Sequence, residues 1–206
     1  MKTGTTTLGI VCKDCIVLAA DTRATMGHFI ADDKVDKVLP ISNNMAITIA
    51  GTASSAQILA NHIRSELKLT SIKQCREPTV KEAANLLRNW TYGLIRRPSM
   101  VPDVAHIILG GVDKYGVHLY EIGADGFLGK DEKFRVSGSG TMIVLGVLER
   151  EFKEGMTQEQ GVKLAETCVD TSIQRDAASG NGINVFVINK DGVKKVLSKR
   201  VNTHLQ

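Results

Sequence analysis

Two hydrophobic rhythms divide this chain, one alternating every second residue and one recurring every three to four. Thr5 to Cys12 is rich in Thr, Ile and Val, and after Lys13-Asp14 a second apolar run extends from Cys15 to Ala20. This predicts a buried hairpin that begins almost at the N-terminus. Met45 to Ala50 predicts another strand; beyond Gly51, the residues Ala56, Leu59, Ala60, Ile63 and Leu67 follow helical spacing. Gly51 therefore falls at a strand-to-helix turn. A second helix is expected from Thr79, where Thr79 and Glu82 form a capping-box pattern and Val80, Ala83, Ala84 and Leu87 give one apolar face, with Pro98 and Pro102 as its stop.

Val104 to Leu109 and Val117 to Ile122 predict two strands joined by a Gly-containing turn, with short extended pieces near Phe127 and at Phe134 to Val136. Ser137 to Gly140 leads into an apolar stretch from Met142 to Arg150, and then into a helix capped by Thr157 and Gln160 and lined by Val162, Ala165, Val169 and Ile173. Ile183 to Ile188, a turn at Asn189 to Gly192, and Val193 to Leu197 close the chain as a hairpin followed by a tail. Strands and helices thus come in blocks: strands, two helices, strands, two helices, a last hairpin. That order predicts an α+β fold in which two sheets lie between two helix layers, so that every apolar face is covered.

Composition agrees with one domain. The chain has 206 residues, 43% of them hydrophobic, enough for a substantial core. No Pro/Gly-rich linker or sequence repeat divides it. The net charge is only +4, with both signs interspersed, which points to neither nucleic acid nor an anionic membrane. The densest basic stretch, Lys194, Lys195, Lys199 and Arg200, lacks interleaved aromatics and is expected to be a solvated face. No apolar run approaches the length of a membrane span, and Met1 to Gly4 is too short and polar for a secretory signal, so a cytoplasmic protein is expected.

Conventional catalytic sets find little support. His28, His62, His106, His118 and His204 have no metal-type spacing, and there is no nucleophile elbow of the G-x-S-x-G type. Cys12 and Cys15 form one C-x-x-C, but neither Cys75 nor Cys168 supplies the second ligand pair that a zinc site needs, so neither metal nor cofactor is expected. The N-terminus offers other chemistry. A threonine at the start of a mature chain supplies its hydroxyl as nucleophile and its free α-amine, with a pKa of about 8, as base. For Thr5 this requires removal of Met1 to Gly4, because an amide nitrogen has no basic lone pair to offer. Gly4 suits that step, since glycine lets the Thr5 hydroxyl approach the preceding carbonyl. Three threonines opening a strand are equally what a plain β-strand would use.

Further segments bear on that choice. Gly4-Thr5-Thr6-Thr7-Leu8-Gly9, Ala20-Asp21-Thr22-Arg23-Ala24-Thr25, Lys37, Ile49-Ala50-Gly51, Ser137-Gly138-Ser139-Gly140 and Arg175-Asp176-Ala177-Ala178-Ser179-Gly180 together closely resemble the proteasome β-type subunits. The resemblance runs from Gly4 to the final hairpin, and the short leader is similar to the archaeal type. It implies the four-layer αββα sandwich of the N-terminal nucleophile hydrolases. It also implies a propeptide at residues 1–4 removed by autocleavage between Gly4 and Thr5, and one catalytic domain over residues 5–206.

On the same resemblance Thr5 is the nucleophile of a threonine endopeptidase. Asp21 and Lys37 are its acidic and lysine partners, the lysine charged and buried. Gly51 supplies the oxyanion-hole N–H, and Ser139, Asp176 and Ser179 surround the terminal amine. Substrate is expected as an extended strand along Thr25, Gly51 and Ala53. Ala24, Val35, Ile49 and Ala53 line the primary pocket, whose apolar character implies cleavage after hydrophobic residues. The implied partners are α-type subunits and other β subunits in heptameric rings stacked α7β7β7α7, a regulatory ATPase, and unfolded protein substrates. The presence of Thr5, Asp21 and Lys37 together argues against a catalytically silent ring subunit. The early first strand argues against an α-type subunit, and the Arg175 to Gly180 stretch against the bacterial two-component relative.

Overall fold

The computed structural model describes residues 4–98 and 104–201. Met1 to Thr3 of the expected leader, Pro102, His204 and the end of the tail lie outside the described residues, as do the side chains of Ala53 and Ala56. Alternation in the strands builds the layers. In β1 (Thr6–Val11) and β2 (Ile16–Asp21), Leu8, Ile10, Val17 and Ala19 face one way, and Ile16, Leu18 and Ala20 face the other. The two strands pair as the expected hairpin, with Thr7 opposite Ala20. The first sheet runs β10-β1-β2-β11-β12, adding β10 (Phe134–Gly138), β11 (Gly182–Asn189) and β12 (Gly192–Arg200). The second runs β5-β6-β7-β8-β9 and comprises β5 (Val38–Ser42), β6 (Met45–Gly51), β7 (Ala105–Asp113), β8 (Gly116–Ile122) and β9 (Leu128–Asp131).

Three buried clusters cement the stack. Ile16, Leu18, Ile108, Leu119, Phe186 and Ile188 meet between the sheets. Helices α1 (Ala53–Gln74) and α2 (Val80–Leu94) cover the second sheet through Leu59, Ile63, Ala83 and Leu87. Helices α3 (Thr141–Glu151) and α4 (Gln158–Arg175) cover the first through Val144, Leu148, Leu164, Ala165 and Val169. The result is the expected αββα order. Both capping boxes are present, at Thr79/Glu82 and Thr157/Gln160. Among the described residues no helix is long and apolar enough to cross a membrane, and no cluster of His, Cys, Asp and Glu could hold a metal ion.

Three features depart from the hydrophobic pattern. The hairpin of β3 (Ala24–Met26) and β4 (Phe29–Asp32) is mostly exposed, so no alternation reveals it. The edge strand β5 carries Pro40, a residue that breaks a strand signal yet is tolerated where one edge needs no partner. What reads as a tail after Leu197 continues β12 to Arg200 as the other sheet's edge. The basic residues there are exposed, and Lys195, Lys199 and Arg200 pair with Asp36, Glu166 and Asp33. A charged edge of this kind resists pairing with other chains.

Candidate active site

Antiparallel pairing gathers several chain segments at one end of the first sheet. Thr5 precedes β1, Asp21 ends β2, Gly138 ends β10 opposite Thr6, and Ile183 near the start of β11 pairs with Asp21. Lys37 leads into β5 and is held there by Ile49, whose N–H donates to its carbonyl at 3.1 Å. Gly51 ends β6 with φ of 137°, and a Cβ there would fall 2.0 Å from the Val104 carbonyl oxygen. Only glycine fits this strand-to-helix turn.

Asp21 is fully buried and accepts four hydrogen bonds. Its Oδ1 takes Thr6 N–H at 2.9 Å and Lys37 Nζ at 2.7 Å; its Oδ2 takes Arg23 N–H at 3.1 Å and Gly180 N–H at 3.0 Å. Lys37 is buried as expected. Burial pulls its ammonium below the usual lysine range, and the Asp21 carboxylate opposes that pull. The Arg23 guanidinium does not pair with Asp21. It donates to Asn181 Oδ1 and the Ala177 carbonyl, tying down the loop that carries Asp176 and Ser179.

The Thr5 hydroxyl donates to the Gly4 carbonyl oxygen at 2.6 Å, and the Gly4 N–H donates to Thr25 Oγ1 at 2.9 Å. A Cβ on Gly4 would lie 1.8 Å from the Ala178 Cβ, so the residue before Thr5 must be glycine for this packing. On the other side, the Thr5 N–H donates to Ser139 Oγ at 3.1 Å. Ser139 and Ser179 in turn donate to Asp176 Oδ2 at 2.5 and 2.7 Å. Ser139 is not the cap of α3, a position held by Gly140 without a side-chain bond. Its hydroxyl is committed to Thr5 and Asp176.

Two cavities meet at Thr5. One, of about 360 Å³, is lined by Ala24, Val35, Lys37, Ile49 and Gln57, which brings together the expected pocket residues other than Ala53. Ala53 is described only as the first residue of α1. The larger cavity, of about 1200 Å³, runs between the sheet ends past His28, His106, Glu121, Ser139 and Asp176. Gly4, Thr5, Thr25 and Gly51 border both.

Sequence reasoning passed over several contributors. Asp36, beside Lys37, is anchored by Asn184 Nδ2 at 2.8 Å and Lys195 Nζ at 3.0 Å. Thr6 and Ser172 meet as buried hydroxyls at 2.7 Å. The parity of β1 signals Thr6, since it shares the face of Leu8 and Ile10, where an apolar side chain is the rule. The four thiols are free. Cys12, Cys15 and Cys168 are buried away from the site, and Cys75 is exposed.

An α+β sandwich whose sheet ends converge on a threonine, a buried Lys–Asp pair and a positive-φ glycine at a strand-to-helix turn has the architecture of the proteasome sandwich. Comparison with known proteins agrees with that class. The sequence pattern of the proteasome subunit family matches residues 1–188. Proteins named proteasome subunit beta are similar over nearly the whole chain. That of Archaeoglobus profundus is 39% identical over 199 residues, covering 97% of this chain and 91% of the relative. That of Methanococcus aeolicus is 42% identical over 192 residues, covering 93% and 87%, and that of Haloferax volcanii 39% identical over 192 residues, covering 93% and 76%. The chain belongs to the proteasome subunit family, and its relatives are of the β type, which implies a peptidase role.

Proposed function

We propose that this chain is a threonine endopeptidase subunit of a proteasome core particle, with Thr5 as its nucleophile after loss of residues 1–4. The observation that carries the reading is the setting of Thr5. Its hydroxyl touches the Gly4 carbonyl at 2.6 Å, its nitrogen meets the Ser139–Asp176 pair, and it borders both cavities. Leader removal begins when Thr5 Oγ1 attacks the Gly4 carbonyl carbon. The Gly4–Thr5 C–N bond breaks as an ester to Oγ1 forms, and the leaving nitrogen keeps its own hydrogen and takes up the Oγ1 proton, becoming an amine. Water then hydrolyses the ester, releasing residues 1–4 as a carboxylate and leaving Thr5 with a free amine.

That amine is the base for every later turnover. It accepts the Oγ1 proton as the hydroxyl attacks a substrate carbonyl, then gives it to the departing amine when the peptide bond breaks. The acyl ester on Oγ1 is hydrolysed by water, with the amine again as base. The buried Lys37 places positive charge on the nucleophile's side of the site, which lowers the cost of oxyanion and alkoxide development, and Asp21 holds it in place. Gly51 N–H, preceding α1, suits the oxyanion. Ala24, Val35, Leu39 and Ile49 give the small cavity an apolar part beside Asp32, Asp36, Lys37 and Gln57, and that part supports cleavage after hydrophobic residues; discrimination of about 1 to 3 kcal/mol per methylene makes it broad.

On this reading the substrates are unfolded proteins degraded to short peptides. The partners are α-type subunits, further β subunits in stacked rings, and a regulatory ATPase, all in the cytoplasm. The test compares assembled wild type with Thr5→Ala by intact mass and by hydrolysis of peptides bearing apolar or basic residues before the scissile bond. Wild type loses residues 1–4 and prefers the apolar peptides; the variant keeps its leader and is inactive. A Thr5→Ala particle that hydrolyses peptides at the wild-type rate refutes the proposal.

A further inference from the structure

Two buried hydroxyls next to the site have no place in the reaction as written. Thr6 Oγ1 lies 2.7 Å from Ser172 Oγ and 2.7 Å from Ser179 Oγ, and neither Thr6 nor Ser172 has exposed surface. Each hydroxyl has one proton to give, whereas a carboxylate has none, so the direction of the whole chain is set from Asp176. Ser179 gives its proton to Asp176 Oδ2 at 2.7 Å. Thr6 must then donate to Ser179, and Ser172 to Thr6. Asp176 Oδ2 also takes the Ser139 proton at 2.5 Å, which leaves a Ser139 lone pair for the Thr5 N–H at 3.1 Å. Two donor runs therefore converge on Asp176 Oδ2, one from Ser172 on α4 through Thr6 and Ser179, the other from the Thr5 N–H through Ser139.

The fold makes room for the run from Ser172. Gly140 packs so closely that a Cβ on it would fall 2.1 Å from both Thr6 Oγ1 and Ser172 Oγ. The same α4 turn fixes the carboxylate, since the Asp176 N–H donates to the Ser172 carbonyl at 2.7 Å.

We infer that Thr6 and Ser172 are positioning residues for the Thr5 reaction: their donated hydrogen bonds commit Ser179 to Asp176, and so hold in place the carboxylate that orients Ser139 as acceptor toward the Thr5 nitrogen. Cutting the run frees the Ser179 hydroxyl to rotate and loosens the geometry in which the amine takes its proton. The inference rests on Thr5 being the nucleophile, and neither residue touches substrate. A lost hydrogen bond of ordinary worth corresponds to about tenfold in rate.

The test uses assembled particles carrying Thr6→Val, Thr6→Ser, Ser172→Ala and Thr6→Val with Ser172→Ala, beside Thr5→Ala. Thr6→Val keeps the shape and removes the hydroxyl; Thr6→Ser keeps the hydroxyl and removes the methyl. The expected result is a kcat about tenfold down for Thr6→Val with KM within about twofold, and Thr6→Ser close to wild type. The double variant should be no slower than Thr6→Val, because the run is already cut. A packing role predicts the reverse order, so Thr6→Ser slower than Thr6→Val overturns the inference, as does unchanged kcat in Thr6→Val or an effect confined to KM. If Thr6→Val does not assemble, Ser172→Ala decides: a full kcat there overturns the inference and a reduced kcat at unchanged KM supports it. An inactive Thr5→Ala beside a fully active Thr6→Val removes the positioning role alone, whereas an active Thr5→Ala removes the nucleophile reading itself.

Discussion

Removing either member of the buried Lys37–Asp21 pair should destabilise the chain, but by unequal amounts. Lys37→Met replaces the ammonium with an apolar group of similar length and leaves the carboxylate with Thr6, Arg23 and Gly180 N–H donors at 2.9, 3.1 and 3.0 Å. Breaking a buried pair commonly costs about 3 to 5 kcal/mol. Three remaining donors should hold the Lys37→Met loss to the lower end, about 3 kcal/mol. Asp21→Ala instead leaves those three backbone N–H groups without their acceptor, at about 1 to 3 kcal/mol each, and leaves the Lys37 amine buried without its counter-charge. The sum is on the order of 5 kcal/mol after allowing for relaxation, a large part of a typical domain's stability. Urea unfolding of the full-length chain at fixed protein concentration measures both. A Lys37→Met loss equal to or greater than that of Asp21→Ala would falsify the view that Asp21 chiefly organises backbone and only secondarily neutralises the lysine.

Three further outcomes follow from single groups. Burial lowers the folded Lys37 pKa from its ordinary 10.5, so between the two values the unfolded chain binds more protons and stability rises with pH. The difference in unfolding free energy between wild type and Lys37→Met should therefore grow in favour of wild type as pH climbs toward that value; a flat difference refutes it. Gly51→Ala places a Cβ 2.0 Å from the Val104 carbonyl oxygen at φ of 137°, and should cost on the order of 3 kcal/mol and abolish peptide hydrolysis, read by thermal unfolding and fluorogenic peptides. Iodoacetamide under native conditions should label Cys75 alone, since burial shields Cys12, Cys15 and Cys168 and pushes the Cys168 thiol up to about 12. Native labelling of Cys168 at the rate of Cys75 would contradict the burial of α4.

The layers were legible because burial is two-sided. Strands such as β2 and β11 are apolar on both faces, one toward the other sheet and one toward the helices, and each helix keeps a single apolar stripe. That combination leaves few arrangements besides two sheets between two helix layers. Elements without a buried face carry no such signature, which is why the β3–β4 hairpin, with Met26, Phe29 and Ile30 exposed, went unseen. Pro40 hid β5 for a related reason: local propensity opposes a strand that tertiary pairing with β6 imposes.

The site was legible only in part, because sequence shows residue types while chemistry depends on which hydroxyl faces which neighbour. Thr5, Thr6 and Thr7 read alike along the chain. Pairing in the first sheet separates them: the Thr5 hydroxyl meets the Gly4 carbonyl, Thr6 Oγ1 turns under α4 to Ser172 and Ser179, and Thr7 Oγ1 bonds the Ser137 carbonyl. Alternation sends Thr6 to the face opposite Thr7, and the place of Thr5 ahead of the strand separates it from both. Asp21 makes the same point for backbone, since three of its four partners are the N–H groups of Thr6, Arg23 and Gly180, which no residue type announces. A buried carboxylate that collects donors from β1, the Lys37 segment and the Asp176 loop registers all three against one another. Thr5, Lys37 and the loop of Asp176 and Ser179 are thus placed by one residue, and that shared dependence makes Asp21 the position where a change in stability and a change in the proposed chemistry should be hardest to separate.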